Sequence, residues 1–263
     1  MRGRGGRQEP ASDGEAAMFA EDSHVDFYNT LFTREDQKIL TEYVSKDLQR
    51  GFVRKVYGLL TVQLIFTLMV MVPFLVVSEF QEFVRDNPML VWIPVSVLLF
   101  LVCCVSCFPD VSRKFPVNYV FLFSLTVMEA LLLGIISAVT HKITVLVAIS
   151  VTVGLCMMLT MFAVATTIDF TGWGIFAVAV LIVLTLVAPA ALLMNLPWLT
   201  TGLLAAGLAV AAFLLILDTQ RIICNRHQCF KFGVDEYVLA VLCLYLDIVG
   251  IFSYVLQLLG NRD

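Results

Sequence analysis

Charge is scarce in this 263-residue chain and unevenly placed. Asp, Glu, Lys and Arg make up 14% of it, and half of those 38 side chains fall in the first 55 positions. Ordinary soluble domains carry about 25%. The rest of the chain is therefore too apolar for a water-soluble fold. With a net charge of −4 and no basic stripe, nucleic acid is excluded as a partner. Histidine is nearly absent: His24, His141 and His227 form no His-Glu-x-x-His metal pair and no nucleophile–base arrangement. No phosphate-binding glycine loop is present, and neither is the Gly-x-Gly-Asp sequence of intramembrane aspartyl proteases. Enzymatic function and a resident cofactor are not expected. No N-terminal signal peptide is visible, since the chain opens "MRGRGGRQEP", and no Asn-x-Ser/Thr sequon marks an exterior loop.

What is abundant is hydrocarbon: 60% of the residues are hydrophobic, 20 of them Phe. Seven apolar segments run over about 56–77, 89–108, 116–139, 143–166, 172–194, 196–217 and 237–259. Each is close to the ~20 residues that cross a ~30 Å hydrocarbon core. In lipid a segment must satisfy its own backbone, so these are helices. No alternating pattern of a β-barrel is seen. The expected fold is an all-α membrane protein, a seven-transmembrane-helix bundle. Arg50, Arg54, Lys55, Arg113, Lys114, Arg221, Arg226 and Lys231 flank one side; Arg85, Lys142 and Arg262 flank the other. That bias places the N-terminus in the cytosol, a sidedness opposite to that of G-protein-coupled receptors. Pro73, Pro94 and Pro189 either kink their spans or only fit them to neighbours.

The expected organisation is a disordered cytosolic tail (1–32), an amphipathic cytosolic helix (33–52) and a transmembrane domain (53–260). Thr33 can cap the second piece, with Ile39, Leu40, Tyr43, Val44 and Leu48 on one face. That helix either gates at the membrane surface or packs beneath the bundle. Gly202, Ala206 and Val210, with Ala205 and Ala209 beside them, form small-residue stripes that favour close helix packing within the bundle over a dimer seam. Cys103, Cys104 and Cys107 read as small apolar filler or as S-acylation sites. Cys224, His227 and Cys229 fit no standard zinc spacing.

Three acids interrupt the hydrophobic segments: Glu129, Asp218 and Asp247. A carboxylate at the centre of a membrane helix costs about 2.5–3.5 kcal/mol on insertion scales. Asp218 and Asp247 are approached from the same side of the membrane on successive spans, so tilt or a late start of the last span can bring them together. Two carboxyls in one dry site cannot both ionise cheaply and share one proton. Such a pair, with backbone carbonyls, also suits Ca²⁺, which takes oxygen ligands. The pair thus reads as a pH-gated cation site. Asp218 alone also fits a capping or snorkelling role near the interface, whereas Asp247 is too deep for one. Glu129 either extends an ion path or hydrogen-bonds a neighbouring backbone group.

The stretches "GFVRKVYGLLTVQLIFT" (51–67), "SRKFPVNYVFLFSLTVMEALLLG" (112–134), "LDTQ" (217–220) and "DEYVLAVLCLYLDIVGIFSYVLQLLG" (235–260) resemble the transmembrane Bax-inhibitor-motif family, lifeguard branch. The resemblance covers about 50–260. It implies a seven-helix fold with the last helix central, a pH-sensitive Ca²⁺ leak across an internal membrane, and protection from cell death. It makes Asp218 and Asp247 the latch pair, with Arg113 or Lys114 as the possible latch partner. The expected function is a pH-modulated Ca²⁺ leak channel of the endoplasmic reticulum or the Golgi and endolysosomal membranes, with Ca²⁺ the permeant ion and membrane lipid the surrounding partner. A non-conducting regulator that binds cell-death proteins and a Ca²⁺/H⁺ exchanger are the alternatives.

Overall fold

A computed structural model describes residues 34–107, 116–194, 196–223 and 237–260. Among them every regular element is helical: α1 (Arg34–Val76), α2 (Ser78–Asp86), α3 (Trp92–Cys107), α4 (Val117–Ala138), α5 (Lys142–Ala165), α6 (Gly174–Leu193), α7 (Pro197–Ile223) and α8 (Tyr237–Gly260). Single 3₁₀ turns at Pro88–Val91 and Thr171–Trp173 precede α3 and α6. The tail 1–32, Thr33, the side chains of 34–46, Arg113, Lys114 and the turn holding Cys224, His227 and Cys229 lie outside the described residues.

The chain divides into two compact units, residues 1–50 and 51–263. In the first, the described side chains include an exposed Asp47–Arg50 pair at 3.8 Å, the kind of surface pair that contributes little. The second unit is a helical bundle.

Each of the seven apolar segments coincides with a helix. Five are long and apolar enough to cross a membrane: Asp47–Val76, α4, α5, α7 and α8. A sixth arises if α2 and α3, which meet at 93°, form one broken span, and Gly174–Val187 is a shorter apolar stretch. The structure adds α2, where the sequence suggested only a polar break. It buries Val84 and leaves Phe80 and Phe83 exposed, the pattern of a helix lying along a bilayer surface.

The exterior carries large apolar side chains, such as Ile143, Ile175 and Leu186, each more than 70% exposed. A soluble fold does not present such a belt; a lipid-facing one requires it. Many hydroxyls inside the spans are satisfied locally, as Thr61, Ser124, Ser150 and Thr185 each donate to the carbonyl four residues back, whereas those of Ser137 and Thr219 are buried without a partner among the described residues.

The last helix is the core. Sixty-one per cent of the α8 span is buried, against 22% for α7 and 17% for α5. It packs on α7, α5 and α4, and a side-chain bond joins it to α1. α7 and α8 are antiparallel: Gly207 meets the Tyr254 ring, and Ala211 lies 3.9 Å from a side-chain position at Gly250. The close approach therefore uses Gly207 and Ala211, both buried, while Gly202, Ala205, Ala206 and Ala209 are exposed. The small-residue stripes expected to pack inside the bundle face outward, and the true contact lies on the neighbouring face of the same helix.

Candidate functional site

Near one end of the bundle, α7 and α8 bring Asp218 and Asp247 together. Counted along the helices, Asp218 lies about 7.5 Å from the end of α7 and Asp247 about 15 Å from the start of α8, at ~1.5 Å per residue. Side chains lean toward the N-terminus of their own helix. The two helices run in opposite directions, so Asp218 leans deeper into the bundle and Asp247 leans back toward its end. Each covers part of the axial gap. The two carboxyls lie close enough to act on each other directly, and a hydrogen bond between them requires one shared proton. Both residues are buried, at 6% and 8% exposed.

The surroundings are buried, and among the described residues few charged groups are close. Arg221 Nη1 donates to Asp218 Oδ1 at 3.0 Å, one turn along the same helix. Asp247 Oδ2 is buried with no hydrogen-bond partner among the described residues. Cys243, one turn before Asp247, and Cys156 on α5 lie within electrostatic reach of the acids. Among the described residues no group of three or more His, Cys, Asp or Glu side chains forms a metal site. A cation here would draw on the two carboxyls, water and backbone oxygens.

The end of α7 is clamped to the segment between α5 and α6. The Gln220 amide accepts from Phe170 N–H at 3.1 Å and donates to Ile168 C=O at 2.9 Å. Phe170 also stacks edge-on against Phe213 of α7, with centroids 5.8 Å apart. At Gly174 an added methyl would overlap Arg221 Nη2, so the absence of a side chain there makes room for the guanidinium.

Glu129 is not part of this cluster. It is half-buried on α4, and the charge it exerts is felt by Tyr245, two residues before Asp247 and so on the far side of α8. Tyr245 belongs to a separate hydroxyl cluster. Its OH lies 2.9 Å from Thr67 Oγ1, Thr67 donates to the Gln63 carbonyl, and Gln63 Nε2 donates to Thr126 Oγ1 at 2.6 Å. Beside it an apolar cleft of about 150 Å³ lies between α1, α4, α5 and α8, with Met71, Leu133, Ile149 and Phe252 in its walls.

Sequence reasoning identified both aspartates but counted Arg221 only as loop charge. The Asp-x-x-Arg spacing places the two side chains on one helical face, and that signal was available. The Gln220 clamp left none, because it depends on backbone from another segment.

Residues 49–263 match the family described as inhibitor of apoptosis-promoting Bax1. This chain belongs to the Bax-inhibitor-motif family, in its lifeguard branch. It is 30% identical over 226 residues to protein lifeguard 3 of both Mus musculus and Homo sapiens, covering 84% of this chain and 72% of each relative. It is 28% identical over 225 residues to Bax inhibitor 1 of Schizosaccharomyces pombe, covering 83% and 80%.

Proposed function

We propose that this lifeguard-family protein is a passive, pH-modulated Ca²⁺ leak of an intracellular membrane, either the endoplasmic reticulum or the Golgi and endolysosomal system. Its role is to restrain cell death, in keeping with the names of its Bax-inhibitor and lifeguard relatives. The observation that carries the reading is the buried Asp218–Asp247 contact with one carboxyl oxygen, Asp247 Oδ2, left unpartnered. A buried acceptor without a donor is costly, and the arrangement gains by taking up a proton or a cation. With one proton shared, the acids draw α7 and α8 together and the site is shut. When that proton leaves, two like charges face each other in a dry pocket and repel. Ca²⁺ is the counter-charge suited to two carboxylates. Among the described residues the groups that face the pair are Arg221 on α7, Cys243 on α8 and Cys156 on α5. Glu129, on the other side of α8, is assigned a place in the ion path beyond the latch.

Full-length protein in liposomes loaded with a Ca²⁺ indicator tests the reading. Flux through the parent rises as pH is raised through the titration of the shared proton. Asp247→Asn, whose amide donates to Asp218 without a titratable proton, removes that pH dependence. Identical flux–pH curves for the two proteins refute the latch. Proton counterflow matched to Ca²⁺ entry points instead to an exchanger. Absence of flux in a protein that still protects cells points to a non-conducting regulator.

A further inference from the structure

We infer that Arg221 is a tethered cation that occupies the Asp218–Asp247 site in the closed state and competes there with the incoming metal ion; this rests on the reading of the acid pair as a cation site. Three observations support it. First, the guanidinium is bound to the site by a 3.0 Å bond to Asp218 Oδ1. Second, it is inserted there at a cost. Its Nε is buried without a partner, and the group fits only because residue 174 lacks a side chain. A guanidinium held for stability alone gains from presenting its donors in full; this one leaves a donor unused. Third, it has a way out. Arg221 is two residues from the end of α7, and its side chain is 24% exposed against 8% for Asp218. A rotamer change carries the charge to the end of the bundle, as long cationic side chains do at membrane interfaces. Arg221 is therefore a gatekeeper for the metal, and Gly174 is the notch that seats it.

The scheme makes opposite predictions for removing the charge and for removing an acid. With Arg221 gone, an incoming Ca²⁺ no longer has to displace a positive charge from Asp218, and binding tightens. The test is equilibrium ⁴⁵Ca²⁺ binding to the full chain in lipid nanodiscs at pH 8, where proton competition is weakest. Arg221→Gln is expected to bind at least about tenfold more tightly than the parent, given how strongly like charges a few ångströms apart interact in a partly buried site. Arg221→Lys, which keeps the charge, stays within about twofold of the parent. Gly174→Ala, which dislodges the guanidinium without altering its charge, shifts affinity in the same direction as Arg221→Gln and by less. Parent-like amide-exchange protection at Phe170 in this variant, which reports the Gln220 contact, is the check against misfolding as the cause. Equal or weaker Ca²⁺ binding by Arg221→Gln, in a protein whose binding is still lost on Asp247→Asn, overturns the inference and leaves the acid pair as a cation site. Absence of Asp247-dependent binding in every variant overturns the cation-site reading itself.

Discussion

Gln63→Met isolates one buried polar group whose removal should not harm the protein. Gln63 is 5% exposed, and its Nε2 donates to Thr126 Oγ1 at 2.6 Å. Deleting a short buried hydrogen bond normally destabilises. Every hydroxyl near Gln63 is already committed, however. Thr67 donates to the Gln63 carbonyl and Thr126 to the Leu122 carbonyl, and Tyr245 OH is left to donate to Thr67. No donor remains for Gln63 Oε1, which is buried without a partner. Turning the amide over only moves the deficit to its nitrogen. The lost bond is worth about 0.5–1.5 kcal/mol, or nearer 0.6 by the average found between membrane helices, while a buried orphan acceptor costs about 1–3 kcal/mol. Thr126 keeps its bond to Leu122, so the substitution creates no new orphan, and Met has nearly the same shape. Gln63→Met should therefore be neutral to about 2 kcal/mol stabilising. At about 2–4 °C per kcal/mol for a chain of this size, the melting temperature in detergent should hold or rise. Thermal unfolding followed by size-exclusion fluorescence reads it. A fall of about 4 °C or more would mean that Oε1 has a donor after all, and would refute the bookkeeping.

Three further outcomes follow from single contacts. Gln220→Leu should cost about 2–4 kcal/mol, since it leaves Phe170 N–H and Ile168 C=O unpaired at once, and amide exchange at Phe170 should accelerate. Gly207→Ala places a methyl 2.6 Å from the Tyr254 ring and should destabilise by about 1–3 kcal/mol, with partial rescue by Tyr254→Leu in a double-mutant cycle. Asp218→Asn, whose amide can still donate to Asp247, should change stability least below the titration of the shared proton and stabilise relative to the parent above it, where the parent's two carboxylates repel. The carboxyl–carboxyl bond exists only while the proton is held, so the stability it contributes is lost as pH rises; a melting-temperature series from pH 5 to 9 on parent and variant checks the sign.

The helical frame could be read from the sequence because lipid leaves so few options. Seven apolar segments were expected, and each falls on a helix. The count of spans is less legible: the α2–α3 pair bends by 93° at Asn87–Pro88, and α6 offers only the shorter apolar stretch Gly174–Val187, so length alone does not decide. The acid pair was legible because carboxylates among aliphatic residues are expensive and stand out. Arg221 was hidden by the positive-inside pattern, which explains any terminal arginine without asking what it touches. The inward register of α7 was misjudged for a related reason. Gly202, Ala205 and Ala206 satisfy a small-residue pattern as well as Gly207 and Ala211 do, and only the Tyr254 ring decides which face is turned inward.

The two clusters lie on opposite faces of one helix, and this bears on which element moves when the acids part. Asp247 looks toward α7, and Tyr245, two residues earlier and about 200° around the helix at ~100° per residue, binds Thr67 of α1. Displacing α8 would break contacts on every side, since Tyr245, Leu244, Ile251 and Leu256 are all less than 2% exposed. The end of α7 is also enclosed, from Leu215 to Gln220, but α7 as a whole is far less buried, 22% of its span against 61% for α8, so displacing it breaks fewer contacts beyond the Gln220 clamp. Opening is therefore expected to move α7 and its linker while α8 stays fixed. On that basis Tyr245→Phe should lower stability by about 0.5–1.5 kcal/mol yet leave the pH midpoint of Ca²⁺ flux unchanged, because its bond persists in both states. Gln220→Leu should shift that midpoint toward lower pH, since the linker no longer holds α7 closed. A midpoint that moves with Tyr245→Phe and not with Gln220→Leu would assign the motion to α8 instead.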